Sequence, residues 1–207
     1  MRNLKKSPVP PALSSDAQRL TTSYLTALCE GNAKPAVWRK KAIREALELE
    51  TSSRCAYCDA EIVQVAFTHI EHFRPRDLYP TQVLNWSNLT ISCQKCNNKK
   101  SDDFDHDLPF ISPFDDDPTA HFVHAGAIMF APMSDRGKHT IIKLGLNDHP
   151  LRRREKRLET VDAYVSIWSK APAALKPAQE SFIRSDMEDG EYRETVRAFL
   201  RLCAFPV

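Results

Sequence analysis

Four cysteines set in two C-x-x-C pairs, Cys55 with Cys58 and Cys93 with Cys96, constrain this chain more than any other feature. A tight turn with two residues between its thiols presents both sulfurs on one side. Two such turns supply the four ligands that a tetrahedral zinc ion takes. Four thiolates leave no open position for water, so the zinc expected here is structural. Residues 59–92 are too many for a simple zinc ribbon and must hold a folded insert. Residues 1–11 are basic but carry no apolar stretch of the kind a secretory signal needs. No apolar run approaches the length of a membrane helix. The cytoplasm is therefore the expected compartment, where thiols stay reduced and metal knuckles are favoured over disulfides. The two other cysteines, Cys29 and Cys203, lie in helical patterns and are expected as small buried hydrophobes.

The insert carries the chemistry. After a strand-like stretch following Cys58 come His69-Ile70-Glu71-His72-Phe73-Arg74-Pro75-Arg76. Asn88-Leu89 precedes Cys93 by five residues, Asn97 directly follows the fourth cysteine, and Lys100 closes the segment C-N-N-K-K. These fixed spacings resemble the HNH, or ββα-metal, endonucleases. The resemblance implies an α+β chain: a zinc-stapled ββα core, flanked by N- and C-terminal helices. It also implies a metal-dependent enzyme that hydrolyses phosphodiester bonds, with DNA the favoured substrate. RNA stays open, because nothing in such a motif tests for a 2′-hydroxyl.

Each residue type suits a step of that chemistry. A histidine titrates near neutral pH, so neutral His72 can take a proton from water. A hard divalent ion, Mg²⁺ or Mn²⁺, prefers oxygen ligands, which Glu71 and the side-chain oxygen of Asn97 could supply. By the resemblance, Asn88 orients the histidine loop, with a partner on the Nδ1 side of His72 so that Nε2 faces the water. The family often has Asp where this chain has Glu71, and the longer arm shifts the carboxylate by about one bond. His69 lies an odd number of residues from His72, so the two point to opposite faces of a strand. It is expected as a hydrogen-bonded neighbour of the site. Arg74, Arg76, Lys95, Lys99 and Lys100 are the expected phosphate contacts. Trp86 could stack on a base but is expected in the core. A reading from another class, a non-catalytic zinc module bridging nucleic acid and partners, lacks a use for the combined set Glu71, His72, Asn88 and Asn97.

The flanks read as scaffold. Three regions are expected: 1–50, an extended arm and helices; 51–135, the nuclease core with an acidic loop and hairpin; 136–207, a helical region. A first helix carries Ala17, Leu20, Tyr24 and Leu28, capped by Ser14 or Ser15 and ended by Gly31-Asn32. A second follows Pro35 with Trp38, Ala42, Ile43, Ala46 and Leu47 as its apolar stripe. Asp102, Asp103, Asp105, Asp107 and Asp115 to Asp117 read as a solvated acidic loop rather than a metal site. A hairpin turns at Ala125-Gly126. A short helix ends at Gly145. A long one runs from Leu151 past Trp168 and is broken by Pro172 and Pro177. A last helix carries Tyr192, Val196, Phe199, Leu200 and Cys203. Arg152, Arg153, Arg154, Lys156 and Arg157 form a basic cluster, equally a phosphate contact or a solvated face. Net charge is only +2, so a basic surface must be local.

Beyond the core, the chain is similar to the PtuB-type nucleases of Septu and retron-associated anti-phage systems. The opening M-R-N-L-K-K-S-P-V-P-P-A-L, the C-A-Y-C knuckle with H-I-E-H-F-R-P-R, S-C-Q-K-C-N-N-K-K-S-D-D, and T-I-I-K-L-G-L-N-D-H-P-L carry the similarity. It implies an effector nuclease acting with a PtuA-like ATPase, and in retron systems with a reverse transcriptase and its RNA–DNA product. Gly137-Lys138 makes no P-loop, because position 132 is Pro132 where that motif needs glycine. ATP dependence is therefore expected from another chain, with the helical flanks as docking surfaces.

Overall fold

The computed structural model describes residues 1–62 and 68–207. Much of the strand-like stretch expected after Cys58 falls on residues 63–67 and lies outside the described residues. The core is an antiparallel pair, β1 (Thr68–His72) and β2 (Leu89–Cys93), followed at once by helix α4 (Gln94–Lys100). The register sets Thr68 opposite Cys93 and His72 opposite Leu89. Every residue of β2 is buried, as the run L-T-I-S-C requires of a strand covered on both faces. Among the described residues this is the ββα unit expected from the motif.

Among the described residues three named helices precede it: α1 (Pro11–Ser14), α2 (Ala17–Cys29) and α3 (Lys41–Thr51). Neither expected serine caps α2. The Ser14 and Ser15 hydroxyls donate back to the Pro11 carbonyl, and Asp16 holds the N-cap position without a side-chain capping bond. Helix α3 starts later than Pro35 suggests, because residues 35–39 form turns and Lys40 is extended. Trp38 is thereby freed from the α3 stripe and packs edge-on to Tyr24 and to His72. Ala42 is exposed, as is Cys29, against its expected burial. The N-terminal arm threads into the fold: Met1, Arg2 and Leu4 are buried, and the Arg2 guanidinium grips both oxygens of Asp59 just after the first knuckle.

After the core, α5 (Pro118–His121) leads into the expected hairpin, β3 (Val123–Ala125) paired with β4 (Ile128–Phe130). Gly126 turns it in the left-handed region. The acidic stretch is used internally. Asp116 pairs with Arg136, Asp115 accepts from Ser112, and Asp117 caps α5. Helix α6 (Asp135–Leu144) ends at Gly145, whose positive φ closes the last turn.

Helices α7 (Leu151–Lys170), α8 (Lys176–Asp189) and α9 (Arg193–Leu202) share a second apolar cluster containing Leu158, Val161, Ile183, Met187, Val196 and Leu200. Helix α8 escapes the sequence reading because Pro177 looks like a breaker. Here it occupies the first turn, where a missing N–H costs nothing. The basic cluster of α7 is not a solvated face as a whole. Arg153 pairs with Glu191, Arg157 with Asp186, and Arg154 is buried under the hairpin, donating to the Ala127 carbonyl.

Candidate active site

The two knuckles come together as expected. The sulfurs of Cys55, Cys58, Cys93 and Cys96 all lie within 4.8 Å of one another and are buried. The Cys58 and Cys93 sulfurs are 3.9 Å apart. A Zn–S length of about 2.3 Å places tetrahedral sulfurs about 3.8 Å apart, so the cluster fits zinc. Cys93 is also the N-cap of α4, its sulfur accepting from the Cys96 amide at 3.5 Å. The first knuckle is tied to β2 by the Ala56 amide on the Ile91 carbonyl, 3.1 Å. A histidine absent from the sequence reading joins the cluster: His149 Nε2 lies 3.3 Å from the Cys96 sulfur, brought there by the segment that follows α6. The N-D-H-P sequence shows a histidine in a turn; only the tertiary fold shows what it faces.

This staple fixes α4 against β1, and the histidine strand is held at its end by several bonds. Asn88, buried, accepts from the Arg74 amide at 2.7 Å and donates to the carbonyls of Arg74 (3.0 Å) and Gln82 (3.3 Å). It braces the histidine loop through backbone and makes no bond to the His72 ring. His72 Nε2 lies 2.9 Å from the Val83 carbonyl oxygen. A carbonyl only accepts, so Nε2 carries the proton and Nδ1 keeps the free lone pair. Nε2, expected to face the water, is thus taken by a backbone carbonyl instead. Trp38 meets the ring at 5.2 Å, edge to face. Burial pushes His72 down to about 4, against the opposing pull of the Val83 bond, so the ring is neutral at ordinary pH.

Glu71 is buried with one oxygen anchored: Oε1 accepts from Lys100 Nζ at 2.8 Å and from the Tyr57 hydroxyl at 3.4 Å. Burial pushes its carboxyl up and Lys100 pulls it back. Lys100, expected on phosphates, is fully buried instead. It donates to the His72 carbonyl at 3.0 Å as well as to Glu71, so it locks β1 to the end of α4. Trp86 is core, its indole N–H donating to the Ser7 carbonyl.

One open cleft of about 720 Å³ gathers His69, Glu71, His72 and Asn97 in its lining. Of the expected phosphate contacts only Arg76 lines it. Lys95 borders a smaller cavity beside the cysteines, Lys99 reaches Asp148, and the exposed Arg74 lies over the Tyr79 ring. Its lining also includes Trp38, Arg39 and Arg44, residues the motif does not contain. The free oxygen of Glu71 and the amide of Asn97 share this cleft, a donor set that suits a hard divalent ion.

Comparison with known proteins agrees with this geometry. Residues 55–103 match the family model described as HNH endonuclease. The chain is similar to a Septu protein PtuB of Bacillus thuringiensis, 35% identical over 122 residues, covering 58% of this chain and 45% of that protein. It is also similar to a Septu protein PtuB of Bacillus mycoides (strain KBAB4), 27% identical over 150 residues, covering 57% and 49%. The chain thus spans about half the length of the curated relatives it matches. Residues 55–103 are a domain of the HNH endonuclease family, nucleases that hydrolyse phosphodiester bonds.

Proposed function

We propose that this chain is a metal-dependent endonuclease, DNA its favoured substrate, serving as the nuclease of a Septu-type defence system with a PtuA-like ATPase as partner. In a retron setting, a reverse transcriptase and its RNA–DNA product would join them. The partner assignment rests on the similarity to PtuB proteins. The catalytic assignment is carried by the His72 ring, whose Nε2–H is taken by Val83 while the same residue lines the cleft with Glu71 and Asn97.

In this mechanism Nδ1 of His72 accepts a proton from the attacking water. A ring held neutral by burial is ready to do so. Asn88 and Val83 keep the ring in place, and Lys100 holds Oε1 of Glu71, which leaves Oε2 for the ion. Glu71 and Asn97 would hold a divalent ion, Mg²⁺ or Mn²⁺, which when bound neutralises the phosphate and the leaving oxygen. The four cysteines would hold zinc as a staple only.

The test is cleavage by the purified chain of supercoiled plasmid and of a structured RNA, with Mg²⁺, Mn²⁺ or EDTA, alone and with the ATPase. Cleavage that needs metal and is lost in His72→Ala is expected, and the polymer cut decides DNA against RNA. Equal cleavage by His72→Ala, or none even with the ATPase, would overturn the catalytic reading in favour of a binding module.

A further inference from the structure

The cleft has a second wall that the HNH domain does not supply. Trp38 touches both the His72 ring, 5.2 Å away, and the Arg76 guanidinium, which lies 4.9 Å from its ring centre. The next residue, Arg39, and Arg44 in the first turns of α3 line the same cleft, and both are exposed. Among the described residues neither guanidinium has an ion-pair or hydrogen-bond partner. Basic side chains elsewhere are mostly committed: Arg153 to Glu191, Arg157 to Asp186, Arg136 to Asp116, Arg197 to Glu194 and Lys100 to Glu71. The acidic side chains facing the cleft are Asp102 and Glu71, and Glu71 is already neutralised by Lys100. In a chain of net charge +2, two exposed guanidiniums without an acidic partner among the described residues thus line the same cleft as Glu71 and His72.

We infer that Arg39 and Arg44 grip the phosphates that flank the scissile bond, so that the segment before the HNH domain completes the nucleic-acid site. The inference rests on the cleft being the nuclease centre. Guanidiniums suit the task, because they pair with phosphate oxygens two at a time and cannot lose their charge. Trp38 is the positioning residue that sets this wall at a fixed distance from His72. The contacts are to backbone phosphate, so they hold the strand without selecting its sequence.

Binding is read by fluorescence anisotropy on the full chain carrying His72→Ala, which separates grip from cleavage. The probe is a short fluorescein-labelled DNA, as duplex and as single strand, from about 0.05 to 0.2 M salt. Losing two phosphate contacts in Arg39→Gln with Arg44→Gln should flatten the slope of log K against log salt by about 1.4 to 1.8. At about 0.1 M salt that is a loss of tens of fold in affinity. Arg39→Lys with Arg44→Lys should keep most of the slope, and Arg152→Gln, at an exposed arginine outside the cleft, should change nothing. An unchanged slope in the double Gln variant, or no salt-dependent binding by the parent, would overturn the inference. Cleavage by the chain with native His72 separates the two claims. A chain that grips through these arginines yet never cuts sinks the nuclease reading alone. One that cuts with unaltered KM after both Gln substitutions sinks the arginine wall alone.

Discussion

Lys100 stands four residues after Cys96, one helical turn along the face that carries a zinc-type sulfur. That spacing is a burial signal, yet the C-N-N-K-K ending looks like a basic surface run and invites a phosphate role. The helix resolves the conflict by turning Lys100 inward onto Glu71 and leaving Lys99 exposed toward Asp148. The identities and spacings of Glu71, His72, Asn88 and Asn97 were legible in sequence because a motif fixes them. The directions of Lys100 and of the two His72 nitrogens were not, because each is set by an atom far away in sequence: Glu71 for the lysine, the Val83 carbonyl for the ring. A buried ion pair that loses one member leaves an uncompensated charge, which costs about 3 to 5 kcal/mol. Lys100→Met should therefore lower stability by about that amount in urea unfolding, with loss of cleavage following from a misdirected Glu71. Adding Glu71→Gln should recover part of the stability and none of the activity. A Lys100→Met chain as stable as native would show that the pair carries little.

At the scale of elements, β1, β2 and α4 are short, of five, five and seven residues, and would not hold together on propensity alone. The thiol cluster takes over that task by joining the turn after α3 to the start of α4. This explains why the sequence announced the ββα unit well and the helices around it less well. Cysteine spacing is a geometric constraint, whereas helix ends depend on competing local bonds. Ser14 and Ser15 bond backward instead of capping α2, and Pro177 opens α8 instead of breaking a helix. Structural zinc in small domains contributes roughly 10 to 16 kcal/mol of apparent binding energy at neutral pH, so the unit should not outlast its ion. Purified protein should carry one zinc per chain by elemental analysis. Cys96→Ser, which also removes the partner of His149, should lose the zinc and the hydrogen-exchange protection of β2 and α4. The α7–α9 cluster, which contains none of the four cysteines, should keep its protection. Protection lost uniformly across the chain would instead mean a single cooperative unit.

Across the whole molecule the charge ledger shapes stability as well as binding. Two histidines are held far below their ordinary value: His72 at about 4 and the half-buried His124 at about 3, both chiefly by burial. Arg154 adds to the shift at His124, whose Nδ1 meets the Thr195 hydroxyl at 3.0 Å. Unfolded, each would titrate near 6.5. Between that value and its folded pKa the unfolded chain binds the extra proton, so stability falls as the solution is acidified, by up to about 1.4 kcal/mol per pH unit for each ring. Glu71, pushed up by burial, runs the other way, and the depressed carboxyls Asp77 and Asp116 act only near and below their ordinary value of 3.8. The window from 6.5 down to about 4 therefore sets two histidines, joined by the buried Met1 amine that burial also pushes down, against the Glu71 carboxyl. Protonation of the thiol cluster and loss of zinc would add to the fall in the same window. His124→Gln isolates the histidine part, because it leaves the four cysteines intact and one ring to balance Glu71. Urea midpoints measured at several values from pH 7 to pH 4.5 should fall with acid in the native chain and fall less steeply in His124→Gln. Above pH 6.5 the two curves should run parallel. Parallel curves throughout the acid window would mean that His124 keeps an ordinary pKa and that its packing against α9 is looser than its hydrogen bond to Thr195 implies.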